Sequence, residues 1–293
     1  MKHWILATRP KTLPAAIMPV IVGSSLAIKF DTFAQGEFSN QAFVLCLAFA
    51  ILVQIGTNFA NDYFDFLKGA DTNKRKGPTR MVASGHISPK AMKIATAVTL
   101  FIAFILGLSL VKFGGPWLIL VGVASIVSAV IYTGGPYPLA YNGLGDIFVL
   151  FFFGVIAVSI TFYVQTGVIT TESILTGTAI GLLINNLLVV NNYRDIEEDK
   201  LANKKTLIVR LGQTFGYHQY QLSLILATIG LPAYFYFFSE NTIWPATLAL
   251  PYGIFMLIRL KSATDIASFG NVLGGTVKVF ISFGLLVSYS LYS

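Results

Sequence analysis

The chain has 293 residues, a formal net charge of +7, and far more apolar side chains than charged ones. Hydrophobic residues make up 55% of it and charged residues 11%, against about 25% charged residues in a typical soluble domain. This composition excludes an ordinary soluble enzyme and predicts an integral membrane protein. Cys46 is the only cysteine, which excludes an internal disulfide and a multi-thiolate metal site.

Apolar stretches of about 20 residues follow one another along the whole chain, and this length suits helices that cross a hydrocarbon core of about 30 Å. Their hydrophobicity is continuous, whereas barrel strands alternate between apolar and polar residues. We therefore predict an all-α membrane protein, a bundle of about nine transmembrane helices in a single domain covering residues 1–293. The predicted spans are 13–30, 41–64, 89–112, 115–133, 146–167, 172–193, 215–238, 242–259 and 271–291.

Arg9, Pro10, Lys11 and Pro14 interrupt the approach to the first span. We therefore expect a transmembrane helix at this position and not a cleaved signal peptide.

The Lys and Arg residues predict the orientation in the membrane. With the N-terminus inside, 17 of the 20 lie in cytoplasmic segments, as the positive-inside rule requires. We expect a multi-pass protein of the cell inner (cytoplasmic) membrane, with a cytoplasmic N-terminus and its functional loops on the cytoplasmic side. Because orientation accounts for the positive charge, no nucleic-acid partner is expected, and no obligatory protein partner is evident.

The first candidate site is an acidic motif at the end of the second span, which reads QIGTNFANDYFDFLKGAD. Asn58, Asp62 and Asp65 follow at i, i+4 and i+7 and therefore share one helix face. Asp71 joins this face only if the helix ends at Gly69 and the chain turns back.

A second acidic motif, NNYRDIEEDK, ends the sixth span and places Asn191, Asp195 and Asp199 at i, i+4 and i+8. Carboxylates near the membrane are costly unless they are paired, hydrated or bound to cations. Oxygen ligands without His or Cys suit Mg²⁺, which bridges carboxylates to substrate phosphates. Two hydrated helix ends are the plainer alternative, but the repeated Asn-x3-Asp face favours a site that binds Mg²⁺ and a diphosphate.

Basic residues around the two motifs are candidates to hold phosphate oxygens. The positive-inside rule alone would place many of them there, so for any one of them the two explanations are balanced. The predicted diphosphate ligands are Lys68, Arg75, Arg80, Arg194, Lys200 and Lys204.

Other polar features lie between the two motifs. The loop YTGGPYPLAYNGLGD contains four glycines and no Lys or Arg, which is typical of a turn-rich segment. Asn185 lies inside a span, where an interhelical hydrogen bond is favoured over a place in the site lining.

The chain resembles the UbiA superfamily of intramembrane aromatic prenyltransferases in four segments: RPKTLPAAIMPV, NFANDYFDFLKGADT with GPTRMVASG, YTGGPYPLAYNGLGD, and NNYRDIEEDKLANKKTLIVRLG. The resemblance covers essentially the whole chain and is strongest to the branch that acts on 1,4-dihydroxy-2-naphthoate in menaquinone biosynthesis. It implies a UbiA-type fold and Mg²⁺-dependent transfer of a polyprenyl group from polyprenyl diphosphate to 1,4-dihydroxy-2-naphthoate. Loss of CO₂ in the overall reaction would give demethylmenaquinol.

The resemblance also implies residue roles. Asp62, Asp65, Asp195 and Asp199 would be catalytic, and together with Asn58, Asp71 and Asn191 they would bind the metal. The commoner pattern of the superfamily has its last Asp at position 69, where this chain has Gly69, and this departure leaves the role of Asp71 open. The expected acceptor-binding residues are Arg9, Lys11, Tyr132 and Tyr137. For Arg9 and Lys11 the equally favoured alternative is that they simply mark the cytoplasmic entry of the first span.

Two alternatives remain at this point. Another UbiA-type enzyme would use 4-hydroxybenzoate, a porphyrin or a glycerol phosphate as acceptor, and the YTGGPYPL loop argues against it. A cation transporter would use the Asp clusters as an ion site, but transporters favour broken helices at the bilayer midplane. Here the clusters lie at span ends beside basic loops.

Overall fold

The computed structural model describes residues 1–70, 77, 79–239 and 241–292. Within these residues helices carry the whole architecture and no strand occurs, which confirms the all-α prediction. The α-helices are α1 Lys2–Ala7, α2 Pro14–Phe30, α3 Asn40–Leu67, α4 Pro89–Ser109, α5 Val111–Gly114, α6 Leu118–Ile131, α7 Gly145–Val149, α8 Ala157–Thr166, α9 Thr171–Arg194, α10 Ile196–Leu201, α11 Leu207–Leu211, α12 Gln213–Ile225, α13 Leu231–Phe238, α14 Ala249–Ser262 and α15 Ile266–Tyr292.

Tighter and wider helical turns connect several of these helices. Three 3-10 turns occur at Pro10–Thr12, Leu139–Asn142 and Trp244–Leu248. A π-helical segment, Leu150–Ile156, joins α7 to α8, and a second, Leu226–Gly230, joins α12 to α13.

The helices include six segments, among the residues described, that are long and apolar enough to cross a membrane. A seventh span forms if the pair Lys2–Thr12 and Pro14–Phe30, bent by 49°, is counted as one. The predicted span 115–133 contains α6, and the span 242–259 contains the 3-10 turn Trp244–Leu248 and most of α14. Helices α6 and α14 have 14 residues each and reach about 21 Å at 1.5 Å per residue. The protein is therefore a multi-pass membrane protein, and the count of about nine spans is approximate.

Side-chain caps determine where the site-bearing helices begin. Ser39 accepts a hydrogen bond from the Ala42 amide at the start of α3. At the start of α9, Thr170 and Ser173 form a reciprocal capping box. These caps satisfy amides that have no partner within the helix, and both helices then run the length of the bundle before their acidic motifs begin.

Helix α9 is the central helix of the bundle: 72% of its most apolar window is buried, against 22–44% in the other five long spans. A close approach at Gly181 makes this possible, because a Cβ there would lie 2.6 Å from the Leu150 carbonyl oxygen. Small residues let helix backbones pack this tightly in membranes. The second acidic motif is therefore held at the centre of the bundle.

Candidate active site

The first wall of the site is the C-terminal part of α3. Asn58, Asp62 and Asp65 are buried there, with exposed fractions of 3%, 2% and 4%. The amide nitrogen of Asn58 donates to the Thr8 carbonyl oxygen at 2.9 Å, which ties the segment before α2 to this wall. Helical spacing therefore places the three polar side chains on one buried face, as predicted.

The loop that precedes α4 lies over the first wall. The two carboxylate oxygens of Asp62 accept hydrogen bonds from the backbone amides of Met81 and Val82, both at 3.0 Å. Met81 and Val82 are buried in a small apolar cluster that also includes Phe59 of α3. Because hydrogen bonds to a charged carboxylate are stronger than neutral ones, Asp62 holds this loop in place.

Asp65 connects the first wall to two other loops. Its Oδ2 pairs with the Arg80 guanidinium at 2.9 Å, and both side chains are less than 10% exposed. Its Oδ1 accepts a hydrogen bond from the Tyr141 hydroxyl at 2.9 Å. The carboxylate thus has a cationic partner and a neutral donor.

The second wall is the C-terminal end of α9. Helix α9 ends at Arg194, and Asp195 follows with φ −94° and ψ 10°, outside the helical region. The buried Arg194 guanidinium makes two hydrogen bonds to the Asp195 carboxylate, one to each oxygen. Asp199 is also buried, on α10, where its Oδ1 lies 3.4 Å from the Lys204 ammonium.

The loop YTGGPYPLAYNGLGD bridges the two walls. The Tyr141 ring lies 4.5 Å from the Lys68 ammonium and 5.6 Å from that of Lys204, within the range of cation–π attraction. The Tyr141 carbonyl oxygen also accepts from the Lys205 amide at 2.9 Å. Burial lowers the pKa of the Lys68 ammonium below its ordinary value, and the nearby Asp65 carboxylate offsets this only in part.

One polar cavity of about 260 Å³ lies between these walls. It is lined by Asn58, Asp62 and Asp65 of the first motif and by Asn191 and Asp195 of the second. The two acidic faces, which belong to separate helices, therefore meet across the bundle. The cavity's other charged or phenolic lining residues are Arg9, Arg80, Tyr132, Asp146, Arg194 and Lys204.

A second cavity, of about 150 Å³, is almost entirely apolar and adjoins the first. On α3 its lining reaches Cys46, about 24 Å from Asp62 at 1.5 Å per residue. Its far end is a buried cluster that includes Val20, Leu110 and Leu118. The two cavities share Ala15, Gln54, Thr57, Tyr132, Val149 and Phe153.

Several predicted site residues lie outside the polar cavity. Lys11 and Tyr137 are exposed, and Lys200 pairs locally with Glu197 at 2.8 Å on the surface. The Lys68 ammonium donates to the Thr133 carbonyl oxygen, and Asp199 pairs with Lys204 but does not itself line the cavity. Lys11, Tyr137 and Lys200 are exposed and do not line the polar cavity, so the structure offers no support for direct substrate contacts by these three residues.

The predictions for Asp71 and Arg75 lie outside the described residues. Their roles remain predictions from the sequence.

Sequence reasoning missed Tyr141 and Asp146. Both belong to the glycine-rich loop, but neither carries a spacing signal that separates it from ordinary loop residues. Asn185 was assigned an interhelical hydrogen bond, and its amide nitrogen does donate to Asp146 Oδ1 at 3.1 Å. Asn185, a polar residue inside a predicted span, was therefore the one signal in the sequence that a buried partner such as Asp146 lies nearby.

Comparison with known proteins identifies the family. The UbiA prenyltransferase family matches residues 16–286. The chain is 41% identical to 1,4-dihydroxy-2-naphthoate octaprenyltransferase of Haemophilus influenzae, over 76% of this chain and 74% of that protein. The Escherichia coli protein of the same name is 39% identical, over 82% of this chain and 78% of that protein.

Solved structures agree with this at the level of the fold. A UbiA homolog from Archaeoglobus fulgidus bound to GPP and Mg²⁺ superposes with a TM-score of 0.68 at 17% identity, covering 98% of this chain and 99% of the other. The apo structure of a UbiA homolog from Aeropyrum pernix gives 0.71 at 14% identity, with coverages of 94% and 96%. From its sequence relatives and its helical architecture, the chain belongs to the UbiA prenyltransferase family.

Proposed function

We propose that this protein transfers a polyprenyl group from polyprenyl diphosphate to 1,4-dihydroxy-2-naphthoate, with loss of CO₂, giving demethylmenaquinol. The names and identities of the bacterial relatives support this acceptor. The observation that carries the chemistry is that the two cavities adjoin and share lining residues, so that a polar cavity with acidic and basic walls lies directly beside an apolar one. Such an arrangement suits a substrate with a diphosphate head and a hydrocarbon tail.

Mg²⁺ is the metal proposed for the acidic walls. The cavity lining offers carboxylate and amide oxygens and no His or Cys. Within the described part of the chain, no three acidic, His or Cys side chains are grouped closely enough to hold a metal by themselves. The carboxylate and amide oxygens of the lining suit Mg²⁺, which keeps several waters and usually takes one or two carboxylates plus substrate phosphates.

Asp62, Asp65 and Asp195 are the proposed ligands, assisted by the amide oxygens of Asn58 and Asn191. When bound, Mg²⁺ neutralises negative charge on the diphosphate and so favours its departure. Asp199 is proposed to act in the same site through Lys204, with which it pairs.

Basic side chains at the cavity would bind the diphosphate oxygens. Arg80, Arg194 and Lys204 line the cavity and are each paired with an aspartate of the two motifs. Pairing holds the cations in position before substrate arrives, so less side-chain entropy is lost on binding. The allylic carbon would then lie where the polar and apolar cavities meet.

The acceptor ring is proposed to bind between Arg9 and Tyr132, which both line the polar cavity. Arg9 has a left-handed backbone conformation, with φ 52°, and for a residue other than glycine such a conformation is uncommon and often marks a functional site. An arginine there suits the acceptor carboxylate, since its planar donors match a carboxylate.

The distribution of basic residues supports an inner-membrane location with the site on the cytoplasmic side. Both acidic motifs and the basic loops lie at the same end of the bundle, as the contacts between α3, α9 and the connecting loops require. The proposed partners are thus the two substrates and the lipid bilayer.

The test is an assay of the purified protein with Mg²⁺, a labelled polyprenyl diphosphate and 1,4-dihydroxy-2-naphthoate. We expect a prenylated naphthoquinol, and we expect chelation of the metal or Asp195→Asn to abolish it. Glu198→Gln, an acidic change on α10 outside the cavity lining, is the matched control. Transfer to 4-hydroxybenzoate in place of the naphthoate would refute the proposed acceptor, and cation flux without any transfer would refute the reaction.

A further inference from the structure

Asp146 is a buried carboxylate in the polar cavity that neither acidic motif includes. It lies in the first turn of α7, is 8% exposed and lines the cavity. No Lys or Arg among the described residues forms an ion pair with it. Val149, one turn later, and Phe153, a further turn on, line both cavities. Asp146 therefore lies about one helical turn from the junction where the acceptor ring would meet the prenyl group.

Two amide side chains hold one oxygen of Asp146. Its Oδ1 accepts from Asn185 Nδ2 of α9 at 3.1 Å and from Gln219 Nε2 of α12 at 2.6 Å. The amide oxygens of Asn185 and Gln219 are buried and have no hydrogen-bond partner among the described residues. Leaving such oxygens unpaired costs free energy. The two amides are therefore oriented to donate to this carboxylate even though their own oxygens then lack a hydrogen-bond donor.

The second oxygen of Asp146 has no such partner. No hydrogen bond reaches Oδ2 from any residue that the structure describes, and this atom is not among the fully buried unpaired atoms. A carboxylate has only acceptor sites when ionised, and a partly buried one requires donors to offset desolvation. Oδ2 therefore presents an unused acceptor to the cavity.

The Tyr132 ring lies next to Asp146 in the cavity lining. A Cβ added to Gly145 would come within 3.1 Å of the Tyr132 hydroxyl, so this hydroxyl packs directly over the backbone next to Asp146. The absence of a side chain at Gly145 leaves room for the phenol, and the phenol and Asp146 form one edge of the cavity. An aromatic ligand bound against Tyr132 would bring its ring substituents close to Oδ2.

We propose that Asp146 Oδ2 accepts a hydrogen bond from a ring hydroxyl of the acceptor, which makes Asp146 a further catalytic residue. This rests on the proposed function, in which the acceptor is a dihydroxynaphthoate. Hydrogen bonding to an anion increases the electron density of a phenolic ring, which favours its attack on an allylic carbon. The hydroxyl proton stays on oxygen, and no bond is made or broken at Asp146.

An ion pair between Arg9 and the carboxylate of the acceptor, together with the hydrogen bond to Asp146, would fix the orientation of the acceptor ring. Arg9 and Asp146 both line the polar cavity, and a dihydroxynaphthoate carries one carboxylate for the cation and hydroxyl donors for the anion. Recognition of a hydroxyl by a buried acceptor is selective, because an analogue that lacks the hydroxyl leaves the acceptor unpaired.

The decisive variant is Asp146→Asn. Asparagine keeps one oxygen for Asn185 and Gln219 while it replaces Oδ2 with an NH₂ donor, so the packing contacts persist and only the acceptor facing the cavity is lost. We expect kcat/KM for 1,4-dihydroxy-2-naphthoate to fall at least about 10-fold, with the KM for polyprenyl diphosphate within about 3-fold of the original. Asp31→Asn, the same change in an exposed residue after α2, is the matched control and should change neither.

Competitive inhibition supplies a second measurement. The unmodified protein should bind at least one of the two monohydroxy analogues, 1-hydroxy-2-naphthoate and 4-hydroxy-2-naphthoate, at least about 10-fold more tightly than it binds 2-naphthoate. Asp146→Asn should bind all three within about 3-fold of one another. A purely structural role for Asp146 would leave the preference for the hydroxylated inhibitor unchanged.

The outcomes separate this inference from the proposed function. If the unmodified protein prenylates the dihydroxynaphthoate but shows no preference for hydroxylated inhibitors, the role of Asp146 is refuted and the function stands. That comparison needs no variant, so it remains decisive if Asp146→Asn does not fold. Retention of the hydroxyl preference by Asp146→Asn also overturns the proposal, whereas failure to prenylate the naphthoate at all refutes the function itself.

Discussion

Tyr141→Phe removes one hydroxyl and its hydrogen bond to Asp65, while the ring between Lys68 and Lys204 remains. A hydrogen bond to a charged group contributes about 1.5–3 kcal/mol. Asp65 keeps its ion pair with Arg80, so we expect a loss in the lower half of that range, about 1.5–2 kcal/mol. At 1.36 kcal/mol per factor of ten, kcat/KM should fall about 10- to 30-fold.

The assay compares initial rates of prenyl transfer for this variant and for Tyr137→Phe. Tyr137 is an exposed tyrosine of the same loop, so its substitution should leave kcat/KM within about twofold of the original value. Thermal unfolding in detergent reports whether either variant has lost stability instead of activity. The assignment of Tyr141 as a support for Asp65 is refuted if Tyr141→Phe is as active as the original protein, or if both variants lose activity equally.

Three further predictions follow from other contacts. Arg194→Lys should lower kcat/KM about 10-fold or more, because lysine cannot form the bidentate hydrogen bonds that the guanidinium makes to Asp195. Initial rates of prenyl transfer check this. Gly181→Ala should lower the free energy of unfolding by about 1–3 kcal/mol through overpacking, whereas Gly270→Ala, where a Cβ meets nothing within 4 Å, should not. Gly122→Phe, in the apolar cavity, should lower kcat/KM more for long-chain than for short-chain prenyl diphosphates, and equal losses for both would contradict a tail-binding role for that cavity.

The acidic faces show how far sequence periodicity reaches. Asn58, Asp62 and Asp65 lie on one buried face because α3 continues unbroken through them. The second face was predicted to extend to Asp199, but α9 ends at Arg194 and Asp199 belongs to the next helix, α10, with Asp195 outside the helical region between them. Helical spacing is valid only while the helix lasts, and nothing in the local sequence marks that end.

Partners distant in sequence explain the remaining differences. Lys200 was assigned to the diphosphate, yet it pairs with Glu197 one turn away. Asp65 instead meets Tyr141, 76 residues further along the chain. Such pairings depend on how α3, α9 and the connecting loops pack, so they cannot be derived from spacing along one helix.

The sequence by itself determined the membrane-spanning class, the approximate number of helical regions and the positions of two acidic motifs, because these depend on the length of apolar runs and on spacing within one helix. Only the tertiary structure decided that both motifs line one polar cavity, that this cavity adjoins an apolar one, and that Asp146 lines it with one oxygen that no described residue binds. Those features arise where separate helices meet, and close packing at positions such as Gly181 fixes which side chains come together.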